Sequence, residues 1–472
     1  RTIIPYEGLV ETDLDDKIFA VCAEGIYDAT GTGTPVQKLA FTDNTENAGW
    51  GTYIHYIDAS GDDIVYYADG ANGLFIYTPD TDTWAQASGI TPAAGSIGTF
   101  TVEEIDFIMV HKLRIWFKTQ GSNKAWYLPV RSFIGEATEF FFSAKFKHGG
   151  DLVGLYNWTV DGGAGRDDVL VVVSRGGDVL PYTGDDPSSD MTWENTGVFF
   201  IGRVPRGNRI ASQYGGNLFL LSTLGIISMG ELMSGAEPED PARSQLGGKI
   251  SRIIRLDMRD YSSFHGWKIT FVADESILVV NTPLRTADDT YRQYVLNTTT
   301  FAWGLWRDLP FVTGAPYDGD MLIGSPDGRV LRMDQQVDNI PLAGGDGDDI
   351  KWYVLSSFNT GGAPGMQKRV QFIRPHFSAT DSRPSFVAYA RYDYLAIEPL
   401  APVQAPQTYG NSLWDTALWD IDNWASPQQL PYQAAHGATG MGTVFAVAMT
   451  GRSRGNTLFA SWDVTYDTGG FL

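Results

Sequence analysis

The stretch Gly73-Leu74-Phe75-Ile76-Tyr77-Thr78-Pro79-Asp80-Thr81-Asp82-Thr83-Trp84 reads as a strand, a turn and a second strand opened by tryptophan. The pattern returns. Val179-Leu180-Pro181-Tyr182 leads through a polar turn to Met191-Thr192-Trp193, and Tyr294-Val295-Leu296-Asn297 leads through three threonines to Phe301 and Trp303. Hydrophobic hairpins with Gly-containing turns lie between these units. Each unit has a face that it cannot bury alone, and radial stacking hides those faces while leaving only short edges, which is how a β-propeller is built. Tyr27, Tyr77, Tyr127 and Tyr182, taken as equivalent positions, lie 50, 50 and 55 residues apart. A four-stranded blade needs about that much chain. Continuing less regularly through Met229, Val295 and Leu331, the repeat predicts six or seven blades.

Composition agrees with sheet: 25 Phe, 22 Tyr and 14 Trp suit half-buried pleated surfaces, and 53 Gly with 23 Pro suit many tight turns. Helical spacing is confined to Leu246–Arg259, within a loop excursion near 231–260 that breaks the rhythm. The polar run Gly344-Gly345-Asp346-Gly347-Asp348-Asp349 marks a boundary. The expected architecture is therefore all-β, a propeller over 1–345 followed by a β-sandwich-like docking domain over 346–472. The latter's longer strands begin near Trp352, Arg369, Phe386, Thr443 and Leu458. Between them Trp414, Trp419 and Trp424 recur every five residues, a spacing that suits neither one helix face nor one strand face. They are candidate anchors at a subunit interface, or for the loop's own packing.

The chain carries 34 basic and 56 acidic residues, a formal charge of -22. Such a surface repels nucleic acid and anionic membranes unless a local basic patch exists, and the sequence displays none. The single cysteine, Cys22, ends an apolar strand and cannot form a disulfide within the chain. No apolar run reaches bilayer length, and the opening on Arg1 rather than Met is expected of a sequence lacking upstream residues.

Catalytic signatures are sparse. The six histidines show no metal spacing, and His111 reads as a turn residue rather than a base. Gly451-Arg452-Ser453-Arg454-Gly455 matches a nucleophile-elbow pattern, but that motif requires a strand followed by a helix, whereas another strand follows here. Glu104, Asp106, Glu139 and Asp274 are the carboxylates one would nominate for glycoside cleavage, with nothing to pair them. Asp-rich loops around Asp13, Asp161, Asp185 and Asp346 lack calcium-loop spacing. No catalytic, cofactor or metal residue is expected; structural calcium is a minor expectation for those loops.

The order of parts carries a resemblance. Propeller units, the Gly216–Ser222 to Gly225–Ser228 hairpin, the Trp414-Asp415 and Trp419-Asp420 repetition, and the ending Ser461-Trp462-Asp463-Val464-Thr465-Tyr466-Asp467-Thr468-Gly469-Gly470 together resemble the tail hub proteins of short-tailed bacteriophages. These are also called packaged-DNA stabilisation proteins or head-to-tail stoppers, and tail nozzle proteins are the second choice. The resemblance implies a non-enzymatic virion protein forming a homo-hexameric ring. That ring would lie below the adaptor and portal rings and above nozzle, needle or fibre proteins. It would retain packaged double-stranded DNA and pass it through the channel without sequence-specific binding or a membrane span. Its channel is expected to be acidic or neutral, because basic walls would grip the phosphates. The alternatives are a glycan-binding or glycan-cleaving propeller and a general protein-interaction propeller.

Overall fold

The computed structural model describes residues 1–8, 16–161, 166–189, 191–235, 249–286, 289–333, 347–379, 382–397, 407–408, 430–432, 435–455 and 457–471. Its contacts divide the chain into two units, Arg1–Met333 and Asp334–Leu472. The expected boundary at 345 falls in 334–346, outside the described residues.

The first unit is a seven-bladed β-propeller, each blade an antiparallel sheet in sequence order. The innermost strands of blades I to VII are Thr2–Tyr6, Thr52–Ile57, Ile105–His111, Leu152–Asp161, Ala211–Tyr214, Lys268–Val272 and Thr313–Tyr317. Each packs against the next blade around the ring, Leu152–Asp161 doing so against Asn217–Ser222 of blade V, and Thr313–Tyr317 returns beside Thr2–Tyr6 to close it. Ile3, Ala315 and Leu322 are buried together at that seam. Blades I, II, III and VI have four meandering strands, whereas V and VII have three. In blade III a further strand, Ile90–Pro92, adds in parallel to the outer edge. In blade IV the outer edge is shared between Glu194–Asn195 and Phe199–Phe200.

The hydrophobic core lies between blades, where the faces that single units cannot bury meet. Ile4, Phe19, Tyr67, Tyr77 and Trp84 fill the space between blades I and II. Trp116, Tyr127, Leu155, Tyr182 and Trp193 do the same for III and IV. The motif at 73–84 closes its turn through Asp82, which sits at φ 48° and accepts a hydrogen bond from the Tyr77 hydroxyl at 3.0 Å. Tyr77 then pairs across the ladder with Trp84.

Two helices, α1 (Met229–Met233) and α2 (Ser251–Tyr261), stand where blade V lacks an outer strand. Met229, Leu232, Ile254, Met258 and Tyr261 bury against the sheet. The helical spacing expected over Leu246–Arg259 thus resolves into an eleven-residue helix that begins at Ser251. Among the described residues no helix is long and apolar enough to cross a membrane.

The second unit is a β-sandwich. One sheet orders Ile350–Leu355, Phe445–Ser453 and Ser385–Tyr392; the other is built on Met366–Ala379 paired with Thr457–Phe471. Val370, Ile373, Phe377, Phe445, Val447 and Met449 form its core, with Trp352, Phe459, Trp462 and Tyr466 packed around them. Phe372, Leu458 and Tyr389 remain 50%, 56% and 38% exposed, so large apolar side chains also point away from that core. Trp414, Trp419 and Trp424 lie outside the described residues.

Candidate functional site

The innermost strands of a propeller all run the same way along its axis, so residues just ahead of them meet at one mouth although scattered through the sequence. Here the connection from blade IV to blade V, residues 205–209, occupies that mouth and bonds to each of the other six blades or to the segment leading into it. Arg209 Nη1 donates to the carbonyl of Arg1 at 2.9 Å, to Thr2 Oγ1 at 3.4 Å and to Thr313 Oγ1 at 3.3 Å, clasping blades I and VII. Arg206 Nη2 donates to Asn47 Oδ1 at 2.6 Å, on the approach to blade II. Asn208 Nδ2 donates to the Asp106 carbonyl of blade III at 2.9 Å, and the Asn208 backbone carbonyl accepts from the Tyr156 hydroxyl of blade IV at 2.8 Å. The Ile269 amide of blade VI donates to the Arg209 carbonyl at 3.3 Å. Gly207 makes the turn possible, with φ +102° in the region where a side chain would be strained.

This plug gathers positive charge. The Arg209 guanidinium lies 5.2 Å from the centre of the Trp50 ring, and Trp50 stacks on His265 with ring centres 5.6 Å apart. Trp50 is held in place through its neighbour: the Gly49 amide donates to Asp69, a fully buried carboxylate that also takes the Tyr67 hydroxyl and the turn amides of Ala71 and Asn72. Lys268 donates to the Gly314 carbonyl, joining blades VI and VII. Burial, reinforced by the charge of Arg209, brings Lys268 down to about 7. Burial also lowers Arg209 to about 10. His265 falls to about 3, first through burial and then through Arg206, Arg209, Arg1 and Arg175. Among the described residues no carboxylate pairs with Arg209 or Lys268. The fold thus gathers buried positive charge from positions far apart in sequence, which is not the exposed basic patch that nucleic-acid or membrane binding would need. Three arginines at 203, 206 and 209 in an acidic chain were the available signal.

Along the axis lies a cavity of about 370 Å³, lined by Tyr53, Phe107, Tyr156, Asn157, Arg209 and Lys268 among others, with no carboxylate in its wall. It offers positive charge and hydrogen-bond donors on an aromatic and aliphatic background.

The residues nominated from sequence are not brought together. Glu104 caps the 3-10 turn that begins after Thr101, accepting from the Thr101 amide at 2.9 Å. Asp106 pairs with buried Lys118 at 2.7 Å. Glu139 pairs with Lys124 at 3.0 Å, and Asp274 lies beside Gly319 at the rim of blade VI. His111 is not a turn residue; it ends the inner strand of blade III, is buried, and bonds Asn157 Oδ1 at 2.7 Å. Ser453 lies within an extended strand, where its hydroxyl accepts from Trp352 Nε1 at 2.7 Å. Cys22 is half-buried at a strand end. Among the described residues no group of three or more His, Cys, Asp or Glu is placed to hold a metal ion. Asp185 is instead paired with Lys112, and Asp186 with Arg114.

No protein-family model matches the chain, and no curated protein matches it. Solved structures do. One is a candidate 6-phosphogluconolactonase from Bacteroides uniformis, at 10% identity and a TM-score of 0.40, covering 69% of this chain and 93% of that one. Another is the extracellular domain of a candidate hybrid two-component system from B. thetaiotaomicron, at 11% identity and a TM-score of 0.41. There the match covers 73% of this chain but only 40% of the other.

Proposed function

We propose that this chain is a structural virion protein, a tail hub forming a homo-hexameric ring in the short tail of a bacteriophage. It would retain the packaged genome below the portal and adaptor and let the DNA pass at infection. The observation that carries the reading is the occluded axis. A cavity of about 370 Å³, with residues 205–209 bonded across its mouth to six other blades or their approaches, leaves too little room for a duplex whose major groove alone is about 12 Å wide. The propeller is then a rigid wedge of wall, and any conduit lies between copies, where the acidic surface implied by a charge of -22 lets a polyanion slide. Exposed Phe372, Leu458 and Tyr389 on the sandwich supply the apolar contact that a closed ring of identical subunits needs.

The test is negative-stain microscopy of the purified protein, alone and mixed with portal–adaptor complexes. Sixfold particles are expected. A uniformly monomeric protein that joins no such complex overturns the reading.

A further inference from the structure

We propose that the axial cavity is a binding site for a small oxyanion, phosphoryl or carboxylate, held between Arg209, Lys268 and the Tyr53 hydroxyl. This inference is independent of ring formation and concerns the propeller as a single subunit.

Three observations carry it. The cavity wall contains two cations and no carboxylate, in a chain where acids outnumber bases 56 to 34. Two like charges held close together in a partly dry site repel one another and lose hydration, and an anion is what relieves both costs. The donors are also incompletely used. Arg209 makes its hydrogen bonds to the blades through Nη1 alone, leaving Nε and Nη2 without a protein acceptor among the described residues. The Lys268 ammonium, with three donors, spends one on Gly314. The Tyr53 hydroxyl has no hydrogen-bond partner among the described residues, although its ring lines the cavity and it feels the charge of Arg209. A guanidinium, an ammonium and a phenol converging on one space make a forked, charge-assisted cradle for oxygen acceptors.

The volume suits a small ligand. At about 370 Å³ the site accommodates a phosphate or a small organic acid, towards the lower end of ordinary ligand pockets. Neutral polar groups at Asn157, Ser212 and Gln213 would contact the remainder of an organic ligand.

The experiment is isothermal titration of the full chain with inorganic phosphate and, separately, with acetate, at low ionic strength and pH 6.5, with sodium chloride as the ionic-strength control. Saturable binding of phosphate identifies a phosphoryl site, and binding of acetate alone a carboxylate site. In either case affinity should fall at least tenfold in Lys268→Gln, fall severalfold in Tyr53→Phe, and persist in Lys268→Arg. Circular dichroism checks that each variant is folded. Arg209→Gln is informative if it folds, and the Lys268 and Tyr53 variants carry the test if it does not. Absence of saturable binding of both anions to the unaltered chain overturns the proposal, as does equal affinity in folded Lys268→Gln.

Discussion

Arg209 Nη1 stands 3.3 Å from Thr313 Oγ1, joining the approach to the fifth blade to the first residue of the seventh across 104 residues of chain. The same nitrogen holds Thr2 and the Arg1 carbonyl, so one side chain fastens the seam where the ring closes. Arg209→Met should lower unfolding free energy by about 2–3 kcal/mol, the range for losing a charged donor to buried acceptors. Thr313→Val should cost less, about 1 kcal/mol. Urea denaturation checks both, and equal effects would show that the seam is not what Arg209 holds.

Lys118 Nζ lies 2.7 Å from both carboxylate oxygens of Asp106, with the lysine 1% exposed. Removing either partner leaves a buried charge uncompensated. Lys118→Met and Asp106→Leu should each cost about 3–5 kcal/mol, while the double replacement recovers most of that loss. A double-mutant cycle in thermal or chemical denaturation measures the coupling, and additive losses would refute it.

His265 in the folded chain titrates near 3, well below its ordinary value of 6.5, because it is buried among Arg206, Arg209, Arg1 and Arg175. Between those two values the unfolded chain binds a proton that the folded chain refuses. Stability from this group is therefore complete above about pH 6.5 and declines as pH falls towards 3. His265→Asn cannot take up that proton. The stability difference between the unaltered chain and the variant should thus shift in the variant's favour from pH 6.5 to pH 4.5.

Asp257 of α2 accepts from Arg285 and from the Tyr294 hydroxyl, and the Arg285 guanidinium lies 5.3 Å from the Tyr261 ring centre. This network staples the helix to blade VI. Asp257→Ala should accelerate amide exchange through Ser251–Tyr261 by at least tenfold while leaving blades I to III protected, since local opening no longer requires breaking a buried ionic contact.

Ser453 serves the Trp352 indole, not a nucleophile elbow. Ser453→Ala should cost about 1 kcal/mol in stability and leave any ester-hydrolysing activity of the preparation unchanged. A loss of such activity would reverse that assignment.

The repeat was legible because it rests on large residues at a fixed place in each blade. Tyr27, Tyr77, Tyr127, Tyr182, Val295 and Leu331 all fall on third strands, where side chains are wedged between neighbouring sheets. Some innermost strands are also legible, as at Thr52–Ile57, Ile105–His111 and Lys268–Val272, and others are not. Thr2–Tyr6 and Leu152–Asp161 carry Pro5 and Gly154 inside the run, which read locally as breakers of a strand. Blade V defeated the pattern where α1 and α2 replace its outer strand. The plug was hidden for a different reason. Arg203-Val204-Pro205-Arg206-Gly207-Asn208-Arg209 reads locally as an ordinary turn-rich connection. Its partners Asn47, Trp50, Asp106, Lys268 and Thr313 share nothing in sequence except their place near the start of an inner strand.

Because residues 205–209 draw hydrogen-bond partners from blades on both sides of the ring closure, their settling is a late event in the life of the nascent chain. Synthesis proceeds from the first residue, yet the acceptor at Thr313 emerges more than a hundred residues after Arg209, so the early sheets wait partly assembled with their inner edges uncovered. Refolding should accordingly show a slow final phase of high contact order, reported by Trp50 fluorescence as the guanidinium arrives over its ring.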